Sequence, residues 1–578
     1  MLHTLFRRKP LDQILAQADP ETTGLKRNLS AWSITLLGVG AIIGAGIFGT
    51  IGTATAGDTA RPGAGPSLML SFVITAVVCG FTALCYAEFA SVVPVSGSAY
   101  TYSYATLGEL LAWILGWNLV IEYAIGNIAV AISWSSYFQA LLANPSIGVA
   151  LPDWLATTYR NADDNLIASA PKLLGWPIIF NAPAVGVVAL ITGVLVVGIR
   201  ESARFNAVMV LVKILVLVFF IGAALWAVSP TTMVENWTPF QPNGWGGTLA
   251  AAAVVFFSYI GFDAVSTVAE ETRRPARDLP LGIIGSLVIC TIFYVLIAAV
   301  FTGIVPFGEL LRWTDQERGE PLTKALAQVF PNLPWVNLVM ATGAVISTTA
   351  VLLVFQLGQP RIFMAMARDG LLPKFLARVH PTFGTPHVTT ILTGLFVAFF
   401  AAFASLDEVV DLTNIGTLFA FTLVCLGIVI LRHTDPERPR AFKVPFGPYV
   451  LPLMGAVSCV FLAYYLPPAS WWRFVGWLAL GLAIYFGYGY SHSVLGRSLG
   501  RSPRTSWTAR LVSIGFLAQA LGLYTVPHDL GLAELIALIG DPALERAQTA
   551  LVGATAILGG SALAIVGLVV EAQRRVAP

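Results

Sequence analysis

The sequence predicts an all-α, polytopic membrane protein of about fourteen transmembrane helices, with helices 1 and 6 discontinuous. Three observations carry this. Of 578 residues, 56% are hydrophobic and 11% charged, with a mean hydropathy of +0.77; a soluble domain carries roughly a quarter charged residues. Apolar windows of bilayer-spanning length, about 20 residues, recur along the chain. Two of these windows, five apart, are interrupted by glycine in mid-span.

In chain order, residues 1–30 read as a charged cytoplasmic lead-in, with no short apolar core before a small-residue cleavage site. Windows follow at 31–54, 67–87 and 107–142, the third long enough to tilt or project. The next fall at 178–198, 206–228, 248–268, 281–304, 334–358, 388–404 and 409–431. The last four are 449–467, 472–491, 509–526 and 548–571, of which the thirteenth window is the weakest. The chain thus divides into the lead-in, helices 1–5 over 31–228, helices 6–10 over 248–432, and helices 11–14 with a short tail over 433–578. The connections 143–177 and 305–333 are the longest on their side and rich in polar and turn residues.

Orientation follows from Lys and Arg, which concentrate in cytoplasmic segments. With the N-terminus inside, 24 of the 33 basic residues fall on the inner side, eight on the outer side, and Lys213 within the fifth window. An even helix count then puts both termini in the cytoplasm, and the expected location is the plasma membrane, the inner membrane of a bacterium.

The composition also excludes chemistry. The five cysteines lie in apolar runs without metal-ligand spacing, and the six histidines lie outside the apolar centres. No metal site or cofactor is expected. An HExxH motif, clustered aspartates and a Ser–His pairing at membrane depth are all missing from the sequence, which argues against a membrane-embedded enzyme.

The interruptions are the informative feature. "GAIIGAGIFG" (40–49) places Gly40, Gly44, Gly46 and Gly49 at the centre of the first window, where glycine weakens a helix. The sixth window reads "VVFFSYIGFDAVS", with Gly261 beside Asp263. Glycines can instead permit close helix packing. Matching positions in both windows, with an acid beside the second, favour paired breaks of the kind that build a midplane site. A broken helix exposes N–H groups and a positive dipole end that suit a carboxylate, and freed carbonyls that suit an ammonium. An α-amino acid carries both.

At these residues the chain resembles a known family. "GVGAIIGAGIFG" (38–49), "PVSGSAYTYSYATLGELLAWILGW" (94–117), "GIRESARFN" (198–206), "YIGFDAVSTVAEETRRPARDLP" (259–280), "DLTNIGTLFAFTLVCLGIVILR" (411–432) and "RPRAFKVPFGPYVLPLMG" (438–455) are similar to the amino acid–polyamine–organocation superfamily. Within it the likeness is to the cationic amino acid transporters. The resemblance spans about residues 25–490 and implies a LeuT-type five-plus-five inverted repeat. Carried over by motif, the N–H groups of Gly44, Ala45 and Gly46 hold the substrate carboxylate, and the carbonyls of Ile42, Phe257 and Ile260 hold its ammonium. Phe257 matches the aromatic that closes over substrate, and Ser258 lies in the same break. The family often has a hydroxyl residue where Ala45 stands, so here the backbone carries that contact.

Three ionisable residues lie well inside apolar windows, where each is costly. Glu122 resembles the family's helix-3 Glu-Tyr and is read as a pocket acid or gate, against a purely structural contact. Asp263 faces the pocket or caps the second half-helix. Lys213 lies roughly 10 Å deep at the helical rise. Snorkelling there is strained, and a helix-5 lysine of proton-coupled relatives matches it, where sodium-coupled relatives bind a cation. The expected function is therefore secondary transport of L-amino acids across the plasma membrane, with protons as coupling ion and cationic side chains (arginine, lysine, ornithine) favoured. A neutral or broad-specificity carrier and an amino acid/polyamine exchanger are the alternatives.

Overall fold

A computed structural model describes residues 5–10, 29–93, 98–198, 203–498, 507–525 and 545–574. Parts of the expected lead-in, of the basic loops near 198–206 and 496–510, and of the C-terminal tail lie outside the described residues. The described chain is helical apart from two two-residue hairpins, β1 (Gly57–Asp58) with β2 (Arg61–Pro62) and β3 (Lys172–Leu173) with β4 (Trp176–Pro177). Among the described residues, nine helical segments are long and apolar enough to cross a membrane, and five shorter apolar helices accompany them.

The first span is three pieces: α1 (Ala31–Ile42), α2 (Ala45–Gly49) and α3 (Ile51–Ala56). There follow α4 (Leu68–Val92), the short α5 (Ser98–Thr106), α6 (Glu109–Ala143), α7 (Ala182–Val197) and α8 (Ala203–Ala227). The second group comprises α9 (Gly244–Val255), α10 (Pro275–Ile304), α11 (Pro334–Arg368), α12 (His387–Phe403) and α13 (Leu406–Thr434). Last come α14 (Val450–Tyr464), α15 (Pro468–Ile484), α16 (Trp507–Thr525) and α17 (Glu545–Arg574).

Burial separates centre from periphery. The apolar windows of Glu109–Ala143 and Gly244–Ser266 are 94% buried, whereas that of Ala207–Ala227 is 33% buried. A helix apolar all round and buried on one side leaves the rest of its surface to lipid. Helix α10 packs along α4 and α1, α11 along α6, and α13 against both α6 and α14. The spans Glu109–Ala143 and Gly244–Ser266 bear Glu122 and the second interruption, and the first interruption lies in Ala31–Gly49, whose window is 72% buried.

Polar contacts tie the ends. On the face that carries residues 5–10, Leu5 is buried, the Lys9 N–H donates to Tyr104 O (3.0 Å), and the Glu109 N–H donates to Arg7 O (3.1 Å). Lys9 Nζ pairs with Asp369 at 3.2 Å, and the Tyr100 hydroxyl donates to the same carboxylate at 2.7 Å. Glu88, fully buried, takes Arg432 Nε (2.8 Å) and the Val444 N–H (2.7 Å). On the opposite face, Arg61 is nearly buried and pairs with Asp58 (2.9 Å) and Asp411 (2.7 Å).

Helices α16 and α17 pack through glycines seven residues apart. A Cβ on Gly515 would meet Gly560 O at 2.5 Å, and one on Gly522 would meet Gly553 O at 2.7 Å. These close approaches let the two backbones touch, as small residues do between membrane helices.

Candidate functional site

The expected break in the first span falls one residue earlier than its glycines predict. Helix α1 ends at Ile42, Ile43 is extended (φ −73°, ψ 103°), and Gly44 (φ −161°, ψ −145°) precedes the first turn of α2. Ala45 and Gly46 are therefore helical. Their N–H groups, with that of Gly44, stand at a helix start where no intrahelical acceptor exists.

The sixth span breaks more extensively. Helix α9 runs into a 3₁₀ turn at Phe256–Tyr259, Ile260 is extended, and Gly261 has φ +122°. The continuation, Asp263–Glu271, is 3₁₀ and not the α-helical half the sequence led one to expect, with Val268 off helical geometry. Local competition explains this. Asp263 Oδ1 accepts from the Gly261 N–H (3.3 Å), Ser266 Oγ donates to Asp263 O (2.6 Å), and Thr272 Oγ1 donates to Val268 O (2.9 Å).

The two breaks lie against each other. A Cβ on Gly46 would sit 2.3 Å from Ser258 Cα, and one on Gly261 would sit 3.0 Å from the Ala41 carbonyl. Breaking and close packing were posed as alternatives for these glycines; both hold. At Gly261 a side chain would also be strained by the positive φ.

The freed carbonyls are already engaged. Lys213 Nζ, on α8 and buried, donates to Gly40 O (2.5 Å) and Ile43 O (3.0 Å), at the end of α1. Tyr294 Oη, on α10, lies 2.9 Å from Ile42 O and 2.8 Å from Ser258 O. Phe257 O accepts the Ile260 N–H at 3.3 Å. Tyr294 was not singled out by sequence, because a tyrosine in an apolar helix has no local mark.

Around the breaks stand covered polar atoms. Among the described residues, Glu122 Oε2, Ser258 Oγ and Tyr86 Oη, all buried, find no hydrogen-bond partner. Glu122 is within electrostatic range of Asp263, and Tyr86 of both acids. Buried polar groups are normally paired, so this cluster is where a polar ligand would find partners. The Phe257 side chain is buried beside it. On α11, Val351 meets Gly44, while the Phe355 ring lies edge-on to Tyr123 (centroids 5.6 Å apart). Gln356 turns instead to Thr192 on α7, and Leu353 packs partly buried against the core. Among the described residues, no group of three or more His, Cys, Asp or Glu could hold a metal ion.

Three further acids are buried, Glu88, Glu109 and Asp411, and none stands out in the sequence because each lies near the end of an apolar window. All three bind structural partners: Glu109 accepts from Tyr485 Oη (2.8 Å) and Ser493 Oγ (2.6 Å), the others the arginines above. Glu122 and Asp263 differ: among the described residues, neither has a cation as a hydrogen-bonding partner.

A buried zone of backbone donors, backbone acceptors and two acids, on paired helix breaks, is the architecture of a membrane carrier site. Residues 29–484 match the amino acid permease family, and the chain belongs to it. It is 45% identical to the branched-chain amino acid permease of Bacillus subtilis, across 86% of this chain and 100% of that one. It is 42% identical to the methylthioribose transporter of the same organism, with the same coverage of 86% and 100%. To the vacuolar cationic amino acid transporter 4 of Arabidopsis thaliana it is 37% identical, over 75% of this chain and 68% of that one.

Proposed function

We propose that this permease is a proton-coupled secondary transporter of L-amino acids. It has a LeuT-type five-plus-five repeat, fourteen spans that include the five shorter apolar helices, and both termini in the cytoplasm of a bacterial cell. The observation that carries the reading is the face-to-face contact of the two breaks, Gly46 on Ser258 and Gly261 on Ala41. The amide groups of Gly44, Ala45 and Gly46 take the carboxylate. The carbonyls of Ile42, Phe257 and Ile260 take the ammonium, and Phe257 closes over both. Glu122 and Asp263, which pair with no cation among the described residues, favour a cationic side chain.

Lys213 is the coupling residue. As an ammonium it grips Gly40 and Ile43 and holds the α1 end in place; without its proton it loses those charge-assisted bonds. Coupling arises because its protonation differs between the outward and inward states. A fixed positive charge there also repels sodium. Lys213→Ala should lose uptake driven by an imposed inward proton gradient, while counterflow exchange in proteoliposomes survives. Parental gradient-driven uptake in that variant, or a sodium requirement in the parent, refutes the coupling.

A second reading, a carrier of neutral substrates, is supported by the branched-chain and methylthioribose relatives. A competition panel of arginine, leucine, glutamate and methylthioribose against labelled arginine and leucine separates the two. Glu122→Gln should depress arginine uptake at least about tenfold more than leucine uptake, because a desolvated charge left unpaired costs several kcal/mol. Equal effects would assign Glu122 to structure or gating.

A further inference from the structure

Tyr294 touches both breaks at once. Its ring is fully buried on α10, with centroids 5.3 Å from those of Phe72 and Tyr259, so it has little room to move. Its hydroxyl lies 2.9 Å from Ile42 O in the first break and 2.8 Å from Ser258 O in the second. Both carbonyls are acceptors, and a neutral phenol has one proton to give. One carbonyl is therefore served and the other is left to a contact of two lone pairs. The neighbouring carbonyls of Gly40 and Ile43 are held by Lys213. Hence Ile42 O is the acceptor at the end of α1 whose donor can be exchanged without disturbing the lysine.

We propose that Tyr294 is a positioning residue whose single proton toggles between the two carbonyls: on Ile42 O when the site is empty, on Ser258 O when a substrate ammonium occupies Ile42 O. This rests on the amino acid reading above. A charged N–H donor bonds a carbonyl about twice as strongly as a neutral hydroxyl, so the ammonium displaces the phenol from Ile42. The released proton then caps Ser258 O, which otherwise lacks a donor in the 3₁₀ turn Phe256–Tyr259. Occupancy of the first break is thereby passed to the geometry of the second. Ile42 O exchanges the phenol for the ammonium, and Ser258 O gains the phenol.

Tyr294→Phe keeps the ring packing and removes the proton. With the full-length protein in proteoliposomes, and L-arginine and L-leucine as probes, the variant should bind whichever probe the parent binds with equal affinity or up to about fivefold more tightly, since one competing hydrogen bond is gone. Its maximal uptake rate should fall at least about tenfold, because the second break no longer senses the first. Placing 3,5-difluorotyrosine at residue 294 strengthens the donor and should weaken binding instead. This arm keeps both ring and hydroxyl, and decides the matter if Tyr294→Phe does not fold. Affinity and rate falling together in Tyr294→Phe, neither changing, or a difluoro variant that binds as the parent does, would overturn the toggle. If the parent binds neither amino acid, the amino acid reading itself fails, and the toggle with it.

Discussion

A methyl group at Gly46 would sit 2.3 Å from Ser258 Cα, and a backbone atom cannot step aside as a side-chain tip can. Gly46→Val should therefore abolish uptake while the protein still inserts and elutes as a single species in detergent. Normal uptake in that variant would mean the two breaks are not in contact in the working protein. Arg61 offers the complementary test of stability. Its guanidinium holds Asp411 and Asp58 in a nearly buried cluster. Arg61→Met should cost about 3–5 kcal/mol, the usual effect of stranding a buried charge, seen as a lower melting temperature. Gly44, Gly46, Gly261 and Lys213 were legible in the sequence because glycine clusters and a lone cation conflict with an apolar helix. Asp411 and Tyr294 were not: Arg61 reaches Asp411 from 350 residues away, and a tyrosine in an apolar run conflicts with nothing.

Among the elements, lengths were legible and local geometry was not. Hydropathy located α4, α6, α10 and α13 and the start of α11, because a bilayer imposes a length, but α11 runs on to Arg368, past its window's end at 358. It gave no warning that Asp263–Glu271 would be 3₁₀, which the hydroxyls of Ser266 and Thr272 decide. The short helices of the 305–333 connection were read only as polar loop. One of them, Pro321–Val329, is preceded by Glu320, whose Oε2 is covered and has no hydrogen-bond partner among the described residues. Burial pushes this carboxyl up to about 8, with Lys324 opposing and Glu317 adding to the shift. The folded loop keeps its proton where the unfolded chain has lost it, so stability falls as pH rises from 4.5 towards 8. Glu320→Gln should remove that slope, and its gain in melting temperature over the parent should grow between those limits. A gain equal at both ends would refute the buried carboxyl. For the α16–α17 pair, Gly560→Leu would drive a side chain into Gly515 O, 2.4 Å from the added Cβ. Separation of the pair should raise cross-linking losses between engineered cysteines at 519 and 561, where Gln519 and Ser561 are hydrogen-bonded in the parent.

At the scale of the whole molecule, the all-helical membrane class followed from composition and the recurrence of apolar windows, whereas the contacts that close each face did not, since they join distant segments. Residues 5–9 illustrate this: they rest on Tyr104 and Glu109, and Lys9 reaches Asp369 across 360 residues of chain. That separation has a consequence in time. At translation rates of about 5–20 residues per second, Asp369 leaves the ribosome roughly 20–70 s after Lys9. Through that interval the early helices enter the membrane with the Lys9–Asp369 contact still unmade, and residues 5–9 have only Tyr104 and Glu109 to rest on. The ion pair thus forms only after α11 has been made, and it dates the closing of this face to the second half of synthesis.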